Sequence, residues 1–193
     1  HWGIPWSRTE DGHIAQRPFG GHTYPRAVFA ADKTGHLEMQ ALYDTLMKHT
    51  KKINRYDEGF VTSILIENNR FAGLAMIDMI NGKFVLIRGK ALILATGGAG
   101  QIFGFTTYSE TVTGDGLAIA YRAGLTLKDM EFIQFHPTGL IPSGILMTEA
   151  CRGEGGTLLN NKDERFMGVY APSKMELAPR DMVSRSEMTE IEA

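Results

Sequence analysis

From Thr34 the apolar positions fall at helical spacing. Met39, Leu42, Tyr43, Leu46 and Met47 recur three and four residues apart, which predicts an amphipathic helix. Lys48, His49, Lys51 and Lys52 follow, where cations suit the negative end of a helix dipole. The pattern then shortens into three β runs, FVTSILIE (60–67), FAGLAMID (71–78) and KFVLIRG (83–89). Asn68-Asn69-Arg70 and Asn81-Gly82 join them, so an antiparallel meander is expected. KALILATGG (90–98) is apolar throughout and ends in glycine, the signature of a buried parallel strand rather than a half-wet one. TGDGLAIAYRAG (113–124) predicts a capped helix, with Asp115 at its start and Gly124 at its end.

The flanks are less regular. Pro5, Pro18 and Pro25 break residues 1–32, and FGGHTYP within them reads as a close-approach loop. Beyond KDMEFIQFHPTG the chain turns to loops rich in charge and glycine, with shorter helices near 172–192. The expected fold class is α/β, an α+β portion in this span: part of a Rossmann-like dinucleotide-binding domain with a β-meander. Residues 1–130 make that part, and 131–193 begin a second domain. The G-x-G-x-x-G pyrophosphate fingerprint is absent from these 193 residues, so a bound dinucleotide would need that loop from elsewhere.

Composition narrows the function. With 20 basic and 22 acidic residues the net charge is −2, which leaves no footprint for nucleic acid. One cysteine excludes an intrachain disulfide and a cysteine-based zinc site, so no metal is expected. No apolar run reaches the length of a membrane span. The start at His1 and the uncapped helical pattern at the close, RSEMTEIEA, suggest an excised piece.

The candidate chemistry lies in ATGGAG (95–100) and in FHPTGLIPSGILMTEACRGEGG (135–156). Glycines after a core strand let backbone approach a phosphate or ribose; a plain tight turn explains them equally well. Asp115 can accept a cofactor hydroxyl or simply cap its helix. His136, fixed in direction by Pro137, reads alone as a buried histidine. Thr148 and Glu149 follow across a Gly-Pro-containing loop that can return the chain towards it. Histidine and threonine can hold an anionic carboxylate, and a glutamate in a closed site can relay a proton. Arg152 and Glu154 read as a surface pair, Arg180 as a bridge to Asp181 or another acid, and Cys151 as a small buried hydrophobe.

Taken in order, FAADKTGH, ATGGAG, TGDG, DMEFIQFHPTG, GILMTEACRGEGG, ERFM and ELAPRDMVSR resemble the flavoprotein subunit of fumarate reductase and succinate dehydrogenase. That resemblance implies FAD on the Rossmann-like domain and a capping domain that closes over the flavin. It implies FAD contacts at Val61, at Ala95, Thr96, Gly97 and Gly98, and at Asp115. Phe19, Gly20 and Gly21 would lie near flavin and substrate, with His136 and Thr148 on a substrate carboxylate. Arg180 would transfer the proton and Glu149 exchange protons with it. The partners implied are a dicarboxylate (fumarate or succinate), an iron–sulfur subunit and membrane-anchor subunits. The subunit would then be peripheral on the cytoplasmic face of the membrane, in electron transport and the tricarboxylic acid cycle. FAADKTG and GILMTE lean towards fumarate reduction. The family's pyrophosphate loop precedes residue 1 and its second clamping histidine and arginine follow residue 193, so the chain alone is expected to be inactive. L-aspartate oxidase, which shares HPT, TE…RGEG and LAPRD, and a non-catalytic excised domain are the competing readings.

Overall fold

The computed structural model describes residues 2–193. Its elements run β1 (Gln16–Arg17), β2 (Ala27–Val28), α1 (Thr34–Met47), β3 (Gly59–Glu67), β4 (Arg70–Asp78), β5 (Lys83–Arg88), α2 (Asp115–Arg122), α3 (Glu149–Gly153), α4 (Met167–Tyr170) and α5 (Arg180–Glu192). They form two compact units, residues 1–54 with 146–193, and residues 55–145. Residues 131–145 therefore group with the segment before them, so the compact units do not follow the expected boundary near 130.

The second unit is built on the meander. β3, β4 and β5 pair in sequence order, all antiparallel, as the alternation and turns predict. Asn68 and Asn69 both take positive φ (51° and 58°), the geometry of a two-residue hairpin turn. At the next turn the Asp78 carboxylate accepts from the Ile80 and Asn81 backbone, and Gly82 takes φ +65°. The register shifts between Val61 and Ser63, a bulge that leaves Thr62 out of step. α2 packs against β3, with Ile119 and Ala120 buried on the helix and Ile64 and Met76 buried in the sheet.

The run at 90–98 is not a strand. Ile93 is 90% exposed and Leu94 is exposed too, and no described strand pairs with them. A parallel strand draws its hydrogen bonds and its burial from neighbours on both sides, so the apolar pattern alone cannot make one. α1 forms where its period predicts, yet Met39, Leu42, Tyr43 and Met47 stay exposed and only Ala41 is buried.

In the first unit the core is Phe166, Met167, Ala171, Ala178 and Val183, with Leu158, Tyr170 and Met182 against it. It joins α4 to α5 and so fixes where α5 begins. The expected short helices near 172–192 are a 3-10 turn at Met175–Leu177 and the single helix α5.

Candidate functional site

The first unit centres on Glu149. Thr148 caps α3, its Oγ1 accepting from the Ala150 N–H at 3.3 Å, which sets Glu149 in the first turn. Glu149 is 4% exposed, and both of its oxygens are engaged. Oε1 accepts from the Gly20 N–H at 2.5 Å, while Oε2 accepts from Arg180 Nε at 3.1 Å and Nη2 at 2.8 Å. A Cβ on Gly20 would stand 2.5 Å from Oε1 and 3.0 Å from the Ala178 carbonyl oxygen, so glycine is what lets this loop close on the carboxylate. Burial pushes the Glu149 carboxyl up. The Arg180 bonds, the Gly20 N–H and the charges of Arg180 and Arg152 outweigh it, holding the group below its ordinary value of 4.5.

Arg180 is the first residue of α5, after Pro179. A cation at that end opposes the helix dipole, a local cost that the Glu149 carboxylate offsets. Its other expected partner, Asp181, is instead paired with Arg185 at 2.8 Å. A cavity of about 540 Å³ opens in this unit, lined by Arg17, Phe19, Phe29, Thr34, Thr148 and Ala150 among others. The Arg17 guanidinium lies over Phe19 (5.3 Å) and Phe29 (4.4 Å), a cation–π pair of contacts that steadies Phe19 at the cavity wall.

Two expectations for this region are corrected. Arg152 is no surface partner of Glu154: it is 6% exposed, and its Nη1 donates to the Glu176 carbonyl at 2.6 Å. Cys151 is exposed rather than buried, because α3 turns its Glu149–Arg152 face inward and leaves Cys151 outside. Sequence reasoning also passed over Glu176, a buried carboxylate that accepts from Arg165 Nε (2.9 Å) and Nη2 (2.6 Å) and from the Leu158 N–H. It passed over Glu187 as well, whose carboxyl burial pushes up to about 7 against the opposing charge of Arg152.

The second unit holds the remaining candidates, Val61, Ala95–Gly98, Asp115 and His136. Ala95, Thr96, Gly97 and Gly98 form an exposed irregular loop. Gly116, buried in the first turn of α2, packs so closely on the Thr96 side chain that no Cβ would fit there. Gly114 takes φ +81° against Ala99, so loop and helix start are locked together. Asp115 is the first residue of α2 rather than its cap; Gly114 is the cap, and Asp115 Oδ2 accepts from Thr113 Oγ1 at 2.5 Å. Val61 lies on β3 beside the bulge. The ring of His136 is held through Nδ1, which is 3.1–3.2 Å from the carbonyl, N–H and hydroxyl of Thr138. The His136 N–H donates to Thr107 Oγ1.

Gly97 in the 95–98 loop takes φ +73°, and a Cβ there would meet nothing within 4 Å. The chain belongs to the FAD binding domain family, whose pattern it matches over residues 1–193. It is 48% identical over 195 residues to the fumarate reductase flavoprotein subunit of Mycobacterium tuberculosis, covering 96% of this chain and 33% of the relative. It is 46% identical over 199 residues to the succinate dehydrogenase flavoprotein subunit of Rickettsia bellii, covering 99% of this chain and 33% of that protein. A structure of an E. coli quinol fumarate reductase variant superposes with a TM-score of 0.94 at 44% identity, over 99% of this chain and 34% of its own. The resemblance read from the motifs is thus borne out, and so is the α/β class of the FAD-binding region. The chain spans about a third of the length of these relatives. Among the described residues no helix is long and apolar enough to cross a membrane.

Proposed function

We propose that this chain is part of a flavoprotein subunit that interconverts fumarate and succinate, with residues 1–130 serving the FAD-binding domain and 131–193 the start of the capping domain. The observation that carries the reading is the Glu149 carboxylate, on which RPFGG, TEACRGEGG and APRD converge through Gly20 and Arg180. FAD, when bound, supplies the hydride chemistry at N5. Val61, the Ala95–Gly98 backbone and Asp115 are the residues to hold it.

The chain's own side chains do the rest. Arg180 presents a guanidinium N–H to the alkene carbon that must be protonated. Arginine is a very weak acid, so it serves only with a group beside it that returns the proton at once. Glu149 is that group: two Arg180 N–H bonds already lie on one of its oxygens, at a buried position. His136 and Thr148 are the residues for a substrate carboxylate, and Phe19 is a residue near flavin and substrate. Docking to an iron–sulfur subunit and membrane anchors places the protein peripherally at the cytoplasmic face of the membrane. The two named relatives, and the Ala150-Cys151-Arg152 segment with the glycines that follow it, favour this chemistry over aspartate oxidation.

The test is turnover by the purified, FAD-loaded full-length subunit containing this span, on fumarate, succinate and L-aspartate in parallel. Fumarate reduction and succinate oxidation are expected, without aspartate oxidation. Oxidation of aspartate alone would make it an oxidase of the same fold, and no turnover with flavin in place would make it a non-catalytic domain.

A further inference from the structure

The cavity of about 540 Å³ in the first unit carries a charge that the proposed proton transfer does not use. Two of its lining residues, Phe19 and Thr148, are the chain neighbours of Gly20 and Glu149, so the cavity adjoins the bonded carboxylate. Arg17, the last residue of β1, is the basic residue of its lining. The Arg17 guanidinium rests on the rings of Phe29 (4.4 Å) and Phe19 (5.3 Å). Its Nε is buried without a hydrogen-bond partner, and no carboxylate among the described residues pairs with it. A partly desolvated guanidinium without a counter-ion is stabilised by an anion that can reach it, and a carboxylate fits its planar fork. Two hydroxyls line the same cavity. Thr34 Oγ1 accepts from the Ala30 N–H at 3.1 Å and Thr148 Oγ1 from the Ala150 N–H at 3.3 Å, which leaves each O–H free to donate. α1 starts at Thr34 without a side-chain cap, so the positive end of its dipole adds to the charge of Arg17. Asp32 lines the cavity too, but it is exposed and screened by water, whereas the Arg17 Nε is not.

Resting on the proposed reaction, we infer that this cavity is a capture site for the incoming dicarboxylate. Arg17, Thr34 and Thr148 take one of its carboxylates before the substrate reaches Arg180. Thr148 also belongs to the proposed substrate-carboxylate site, so it is the point of hand-over. Arg17 touches no reacting atom. It raises the local concentration of a small dianion, which acts on kcat/KM and on the response of kcat/KM to salt. The same guanidinium holds the Phe19 ring, so capture and the placing of that ring are linked.

The experiment is steady-state fumarate reduction by the FAD-loaded full-length subunit over a series of salt concentrations, wild type against Arg17→Met and Arg17→Lys. Arg17→Met keeps an apolar side chain against the two rings and removes the charge. Its kcat/KM is expected to fall about tenfold or more at low salt, mostly through KM, with a shallower salt dependence than wild type. Arg17→Lys keeps the charge and is expected to recover the wild-type slope. Should the methionine variant shed its flavin, Thr34→Val is to raise KM severalfold where Thr34→Ser does not; a valine variant with the wild-type KM then overturns the capture site. A methionine variant with the wild-type KM overturns it too and leaves the functional reading intact. So does a raised KM with the wild-type salt slope, which would make Arg17 only a packing support for Phe19. A wild type that reduces no fumarate with flavin in place overturns the functional reading, and the capture site with it.

Discussion

Glu149 and Gly97 are the centres of the two candidate sites, and they work by opposite means. Glu149 is nearly sealed, with three N–H donors on its two oxygens and two arginine charges acting on it. Gly97 is exposed, has no side chain, and offers bare backbone in a conformation that other residues avoid. In the first unit the chemistry is a property of buried charge, where low dielectric makes each bond matter and a lost partner is costly. In the second it is a property of shape, where the chain contributes room and backbone groups. The first should therefore break sharply under substitution, and the second should degrade gently.

The sharpest break is expected at Arg180. Arg180→Ala in the full-length subunit should lower kcat for fumarate by about 10³-fold or more while FAD stays bound, since loss of a positioned acid typically costs about 10²–10⁴. Steady-state kinetics with the flavin spectrum as a control for folding checks this. Gly20→Ala comes next. Its Cβ must displace either the Glu149 carboxylate or the Ala178 carbonyl, so thermal or denaturant unfolding should show a loss of about 1–3 kcal/mol, as for overpacked interiors.

Two pH responses should separate the buried carboxyls. Glu149 is depressed in the fold, so its contribution to stability is present above its ordinary value of 4.5 and is lost as pH falls through the lowered one. Glu149→Gln should flatten that acid limb in a series of unfolding curves. Glu187 is raised, so the sign reverses: stability is complete below 4.5 and declines as pH rises through about 7. Glu187→Gln should be more stable than wild type at about pH 8, and the difference should vanish towards pH 4. The smallest effect is expected in the open loop. Gly97→Ala meets no atom but is strained at φ +73°, so FAD affinity, followed by flavin absorbance, should weaken by about 1–2 kcal/mol.

The same contrast explains what could be read from the sequence. The meander was legible because its signals are local: alternating strands, an Asn-Asn turn and an Asn-Gly turn lie within about thirty residues. KALILATGG was misread because an apolar run states a need for burial but not whether neighbours exist to satisfy it. Arg152 read as a surface residue because RGEGG has the composition of a turn, and only the packing of α3 draws it inside. Glu149 and Arg180 are 31 residues apart, so no spacing rule joins them; the resemblance named both, and the fold puts them in contact. Glu187 sits in SEMTE, a polar stretch with no sign that burial will hold its proton.

The most direct test of the account is a single-turnover measurement on Glu149→Gln in the full-length subunit. Reduced flavin is mixed with fumarate and its reoxidation is followed by absorbance. The account expects the fumarate concentration dependence to be kept while the limiting rate falls about 10²-fold, because a glutamine cannot return a proton to Arg180 in step with its transfer to the alkene carbon. A limiting rate equal to wild type, accompanied only by lower stability, would mean that Glu149 is a structural bridge for Arg180 and that the proton arrives by another route.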